Sequence, residues 1–150
     1  MSSYQEQRTE PYSAEQLFEI AADIQSYPAY VPSFVAARIS RRDGNRLRVD
    51  NVLGIGPVRF RFATEAILEK PRRISIVSVD DAIGALSIVW RFETVSDRLT
   101  TVILRIDHRF DSSLLTHLSN AFANGMERRI LDAFERRLEN VYGPPLPDQG

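Results

Sequence analysis

The last third of the chain constrains it most. Over residues 113–142, Leu115, Leu118, Phe122, Met126, Ile130, Phe134, Leu138 and Val141 recur at steps of three and four, the spacing of one helical face. The pattern predicts one long helix, capped by Ser112 or Ser113 and stopped by Gly143, Pro144 and Pro145. At ~1.5 Å per residue it would run roughly 45 Å. Glu127, Arg128, Arg129, Asp132, Glu135, Arg136, Arg137 and Glu139 lie off that face and their charges cancel, with Arg128, Asp132 and Arg136 spaced to support one another. Such a solvated back leaves an apolar front that needs a partner, so the preceding chain has to supply a surface.

That surface reads as a sheet. Residues 4–10 alternate weakly before Pro11 and suit an edge strand. Ser13 with Gln16 then makes a capping box, and Tyr12 with Leu17 occupies the staple positions of a helix carrying Leu17, Phe18, Ile20, Ala21 and Ile24 on its apolar side. Pro28 disfavours helical geometry at Tyr27, so residues 27–32 are expected to form a short aromatic turn or second helix. From there the period falls to two. Strands are predicted over residues 35–42, 46–53, 58–69, 74–79, 86–95 and 99–110, with Asp43-Gly44-Asn45 and Gly54-Ile55-Gly56-Pro57 as the clearest turns.

The alternation also assigns faces. Val58, Phe60, Phe62, Ala66 and Leu68 fall on one side of their strand; Leu86, Ile88, Trp90 and Phe92 do the same, and Val102, Leu104, Ile106, His108 and Phe110 follow. The expected architecture is therefore α+β: about seven curved antiparallel strands wrapped on the long C-terminal helix, two short helices between the first and second strands, the order of a helix-grip fold. One domain over residues 1–143 and a mobile Pro-rich tail over 144–150 are expected.

Composition narrows the chemistry. The absence of cysteine removes disulfides, thiolate metal sites and cysteine nucleophiles. No apolar run approaches the roughly 20 residues that span a bilayer and no leader pattern opens the chain, so a cytoplasmic protein is expected, with at most transient membrane contact. A net charge of −1 gives no general footprint for nucleic acid, and no DNA partner is expected. Charge is nevertheless uneven: residues 38–48 hold five arginines against Asp43, which reads either as a solvated strand face or as a docking patch.

Catalytic constellations are sparse. Asp107 cannot orient His108, because strand neighbours point to opposite faces, and His117 lies on the flank of the predicted helix. Neither a metal site nor a cofactor is expected from this residue set. His108 is the one interior oddity, since an unpaired buried polar group costs on the order of 2–7 kcal/mol. It bonds either a carbonyl, tyrosine or water, or the polar head of a ligand. The inward aromatics converge between sheet and helix, where an empty void of about 300 Å³ would cost on the order of 7 kcal/mol and should be filled or closed.

Several segments carry a family likeness. Tyr12-Ser13-Ala14-Glu15-Gln16-Leu17-Phe18, the Tyr27-Pro28 and Val31-Pro32 pairs, Val35-Ala36-Ala37-Arg38, Pro71-Arg72-Arg73-Ile74 and Trp90-Arg91-Phe92-Glu93 together resemble the coenzyme Q-binding START-like family. The likeness runs over about residues 4–143, and the family includes polyketide cyclase/dehydrase-like proteins and ribosome association toxins. The resemblance implies a pocket for a polyprenyl quinone or similar lipid, bound without reaction in support of quinone synthesis or respiration. Ser33 stands where the family commonly has tryptophan, Asp81-Ala82-Ile83 where it has Gly-Pro-Phe, and His108 where an aromatic residue is expected.

The expected ligand-binding set is Tyr27, Tyr30, Phe34, Phe60, Phe62, Ile88, Trp90, Phe92, Leu104, His108, Phe110, Leu115, Leu118 and Phe122. A hydrophobic small molecule is the leading partner. Ribosomal subunits, met by the arginines of 38–48, come second; cyclisation or dehydration assisted by His108 comes third. Gly125 divides the predicted helix into a C-terminal anchor and an N-terminal half expected to wall the pocket and move.

Overall fold

Period-two alternation produces the sheet. In the computed structural model, which describes residues 2–110, 120 and 123–144, β1 (Ser2–Glu10), β2 (Phe34–Asp43), β3 (Arg46–Ile55), β4 (Val58–Glu69), β5 (Arg73–Ser78), β6 (Ala85–Ser96) and β7 (Leu99–Arg109) form one antiparallel sheet. Its order is β1-β7-β6-β5-β4-β3-β2. Consecutive hairpins build β2 to β7, and β1 returns to pair with β7 at the far edge. Trp90, Phe92, Val102, Leu104 and Ile106 are buried on the inward face, while Arg91, Glu93 and Arg105 face out.

The helices cover that inward face. α1 (Ala14–Ala22) begins with the expected capping box: the Gln16 N–H donates to Ser13 Oγ at 3.2 Å, and the Ser13 N–H donates to Gln16 Oε1 at 3.0 Å. A 3-10 turn (Ile24–Ser26) leads into α2 (Tyr27–Tyr30), and α3 (Met126–Tyr142) closes the core. Phe134 of α3 meets Trp90 with ring centroids 5.0 Å apart, and Phe18 of α1 meets Phe92 edge-on at 6.1 Å. The architecture is the helix-grip arrangement expected from the order of elements.

Four local expectations are corrected. Tyr27 is helical (φ −52°, ψ −41°) despite the following proline: Pro28 sits in the first turn of α2, where no N–H is required, and the buried Tyr27 hydroxyl donates to the Ala21 carbonyl. The terminal helix is not one piece. Asn120 and Ala123 are helical, but Asn124 and Gly125 form a turn with Gly125 left-handed at φ 86°, and α3 starts afresh at Met126.

Val141 is 49% exposed, because the helix outlasts the apolar surface there; its end is held by tyrosines, Tyr12 donating to the Gly143 carbonyl at 2.8 Å and Tyr142 to that of Gln16 at 3.2 Å. Asp132 pairs with Arg8 of β1 at 2.5 Å in place of Arg128 or Arg136, so a contact across the fold prevails over the local one. The expected caps Ser112 and Ser113, the tail beyond Pro144, and Leu115, His117, Leu118 and Phe122 lie outside the described residues.

Candidate functional site

The end of the grip defined by the start of α3 is where sheet and helix part. Pro32, Ser33 and Phe34 from the α2–β2 connection, Leu53 of β3, Leu86 and Ile88 of β6, and Met126 and Ile130 of α3 line an apolar recess there. The sheet curls enough for β3 and β6, three strands apart, to share it. The recess is nearly closed, with a cavity volume of about 20 Å³. Of the two ways an aromatic core avoids an empty void, this structure takes closure.

Local sequence explains its rim. The residue following Val31-Pro32 is Ser33, left-handed at φ 70° without being glycine, and its carbonyl accepts from the Gly54 N–H at 2.8 Å. That bond ties the connection into β2 to the β3–β4 hairpin. Gly54 leaves space for both neighbours: a Cβ there would stand 2.8 Å from Val35 Cγ2 and from an Arg59 nitrogen. On the α3 side, left-handed Gly125 precedes Met126, whose side chain lines the recess.

The expected binding residues divide into groups. Phe34 and Ile88 line the recess directly. Trp90, Phe92, Leu104, Phe60 and Phe62 are buried in the core, with Trp90 and Phe92 continuing the Ile88 strand away from it. Tyr27 is buried against Phe34 at 5.6 Å, and the Tyr30 ring lies 5.4 Å from the Arg137 guanidinium carbon. Burial raises the hydroxyl pKa of both tyrosines, so both are neutral donors at physiological pH. The recess adds Pro32, Ser33, Leu53, Leu86, Met126 and Ile130 to the expected residues. Leu86, Met126 and Ile130 were legible as inward residues, but their meeting with residues 32–34 depends on the curl of the sheet.

His108 sits directly across the β6–β7 pair from Leu86 and is 4% exposed. Its ring stacks on Phe110 at 4.3 Å and on Tyr4 at 5.5 Å. Burial lowers its pKa, with Asp107 opposing, so the imidazole is neutral at physiological pH. Asp107 points outward to Arg105 at 2.8 Å and to Ser3, as alternation requires. His108 is not the only buried polar side chain, contrary to expectation. Asn51 donates to Thr64 Oγ1 at 3.0 Å within the sheet, and Glu10, Thr100 and Glu127 are buried too.

Glu10, at the end of β1, is a buried carboxyl that the sequence reading did not single out. It faces Glu135 of α3, and its pKa is pushed up to about 8 by burial first and then by the Glu135 carboxyl, with Glu139 adding and Arg8 opposing. This pair is formed by β1 and the C-terminal half of α3, far along the fold from the Met126 end that lines the recess.

The family model for polyketide cyclase/dehydrase and lipid transport matches residues 11–135. A coenzyme Q-binding protein COQ10 homolog B, mitochondrial, from Xenopus laevis is 28% identical over 93% of this chain, which spans 59% of that protein's length. The ribosome association toxin RatA of Escherichia coli (strain K12) is 24% identical, covering 88% of this chain and 84% of its own. Among solved structures, a START superfamily protein from Mycobacterium smegmatis superposes with a TM-score of 0.76 at 17% identity, over 93% of this chain and 98% of that one.

Proposed function

Because the chain belongs to the polyketide cyclase/dehydrase and lipid transport family, we propose that it binds a hydrophobic ligand with a polar head, a polyprenyl quinone or related lipid, without transforming it. The observation that carries this reading is the recess itself: seven apolar side chains and Ser33 from four parts of the fold meet at one end of the grip. A lining of that composition suits burial of a hydrocarbon chain, whose transfer from water contributes ~25 cal/mol per Å². It offers little for proton transfer, which ranks cyclisation third. The likeness to the coenzyme Q-binding homolog supports a quinone within this class.

Phe34 and Ile88 meet the ligand first in this reading, and the neutral His108 imidazole lies across the β6–β7 pair from Leu86, beside the recess lining. The remaining expected residues, Tyr27 and Trp90 among them, form the wall against which the ligand packs once the recess opens. Titration with a short-chain ubiquinone, followed through the fluorescence of Trp90, the chain's single tryptophan, tests this. Saturable quenching is expected, weakened by about tenfold or more in Ile88→Phe, which fills the recess. Unsaturable quenching, or equal affinity in the variant, would remove the recess from the account.

Ribosome association is the second reading. It is supported by the RatA relatives and by Arg38, Arg41, Arg48 and Arg61, which lie exposed on the outer face of β2–β4 and make no side-chain hydrogen bond or ion pair among the described residues. Co-sedimentation with ribosomal subunits that weakens as salt rises is its signature, because phosphate contacts release counterions.

A further inference from the structure

At the recess end of the sheet, exposed apolar side chains and unpaired arginines adjoin one another. The β3–β4 turn carries Ile55, Pro57 and Val58; Val58 is 36% exposed, and Val35, beside Gly54 on the neighbouring strand, is 48% exposed. Ile55 packs partly against the core, whereas Val35, Pro57 and Val58 stay outside it. The turn is nevertheless held firmly: the Arg59 guanidinium donates to the Gly56 carbonyl at 2.9 Å and to that of Val58 at 3.2 Å, and Gly54 bonds Ser33.

Directly behind this tip the outer face is cationic. Register places Arg38 opposite Asp50, Arg61 opposite Val52 and Arg59 opposite Gly54. Further along, Arg41 stands opposite Arg48, a like-charged pair that weakens a sheet unless an outside anion meets it. Between Arg38 and Arg61 lies an open groove of about 450 Å³ with Asp50 and Asp80 on its wall; Asp80 is already engaged by the Ala63 and Ala82 N–H groups.

We infer that the β3–β4 tip with Val35, backed by Arg38, Arg59 and Arg61, is a docking surface for an anionic lipid bilayer. The valines and Pro57 enter the interfacial region while the arginines meet phosphate-bearing head groups. Nucleic acid would use the arginines but leave the apolar tip in water, which is why a lipid surface fits the whole patch. The surface stands on its own geometry. Its consequence, a recess mouth held against the membrane so that a lipid passes without crossing water, rests on the ligand reading above.

Vesicle flotation tests the surface. The full chain is expected to float with phosphatidylcholine vesicles containing about 30% phosphatidylglycerol, and poorly with phosphatidylcholine alone. Arg38→Gln with Arg61→Gln should weaken binding by about 25-fold, roughly fivefold per arginine. Val58→Asp should weaken it by about tenfold or more, and Arg98→Gln in the opposite turn should not change it. Circular dichroism of each variant verifies folding; because Val58 is exposed and the arginines are unpaired, the two sets fail independently.

Flotation unaffected by either set, equal binding to neutral vesicles, or binding to ribosomal subunits without vesicle binding would each overturn the surface. The two claims also separate cleanly. Protein that responds to quinone but ignores vesicles contradicts the surface and leaves the ligand reading, whereas vesicle binding without a quinone response does the reverse.

Discussion

Trp90→Ala is expected to lower the free energy of unfolding by about 3–5 kcal/mol in a denaturant melt. Trp90 is 2% exposed at the middle of β6, with Phe134 of α3 at 5.0 Å and Phe92 at 6.3 Å, so it is where the sheet grips the helix. The neighbouring rings cannot collapse into the space it leaves without moving α3. Trp90→Phe provides the control. The indole Nε1 is buried and makes no hydrogen bond in the structure, although it interacts electrostatically with the Tyr27 hydroxyl. Phenylalanine keeps an aromatic ring against Phe134 and Phe92, so this variant should lose under about 1.5 kcal/mol. Equal losses in both variants would show that the indole N–H, and not the ring packing, holds this junction.

The second large effect is a pH dependence set by Glu10. This carboxyl is 6% exposed, and its pKa rises from 4.5 to about 8 on folding. Between those values the folded state keeps a proton that the unfolded chain has released. Its contribution to stability is therefore fully present below pH 4.5, falls as pH rises through the window and levels off above about 8, a change on the order of a few kcal/mol. Glu10→Gln, an uncharged near-isostere, should match the wild type near pH 5, flatten the slope and be the more stable protein at pH 9. A wild-type profile flat from pH 5 to 9, or an undiminished slope in the variant, would show that Glu10 ionises freely in the fold.

Strand alternation makes most of the sheet legible in the sequence. The bounds of β4 match the expectation residue for residue, and Leu86, Ile88, Trp90 and Phe92 all face inward as assigned. Period analysis works there because one face of an antiparallel sheet is buried and the other wet. It failed where burial is decided by distant partners. Ile83, in an irregular loop with no period to read, is 1% exposed; Glu10, which closes a weakly alternating edge strand, is buried facing Glu135 of α3. The terminal helix failed differently. Its apolar steps run through Gly125 without a break; that glycine was expected to divide one continuous helix into two halves, and it leaves helical geometry altogether.

The recess was half legible. Phe34 and Ile88 were expected there, whereas Ser33 drew notice only as a departure from a family pattern. Its left-handed backbone and its bond to Gly54 are tertiary facts, set by how β2 and β3 meet at the bulge after Phe34. Sequence spacing cannot show that the recess is closed, since closure depends on how far Met126 and Ile130 approach Leu53 and Leu86 across the curled sheet.

Organic extraction of the purified protein followed by mass spectrometry tests the central claim most directly. The predicted result is a hydrophobic compound with a polar head, recovered in near-stoichiometric amount from the wild type and lost from Ile88→Phe. Wild-type protein that yields no such compound, or an Ile88→Phe variant that retains it in full, would contradict the claim that this recess binds a lipid.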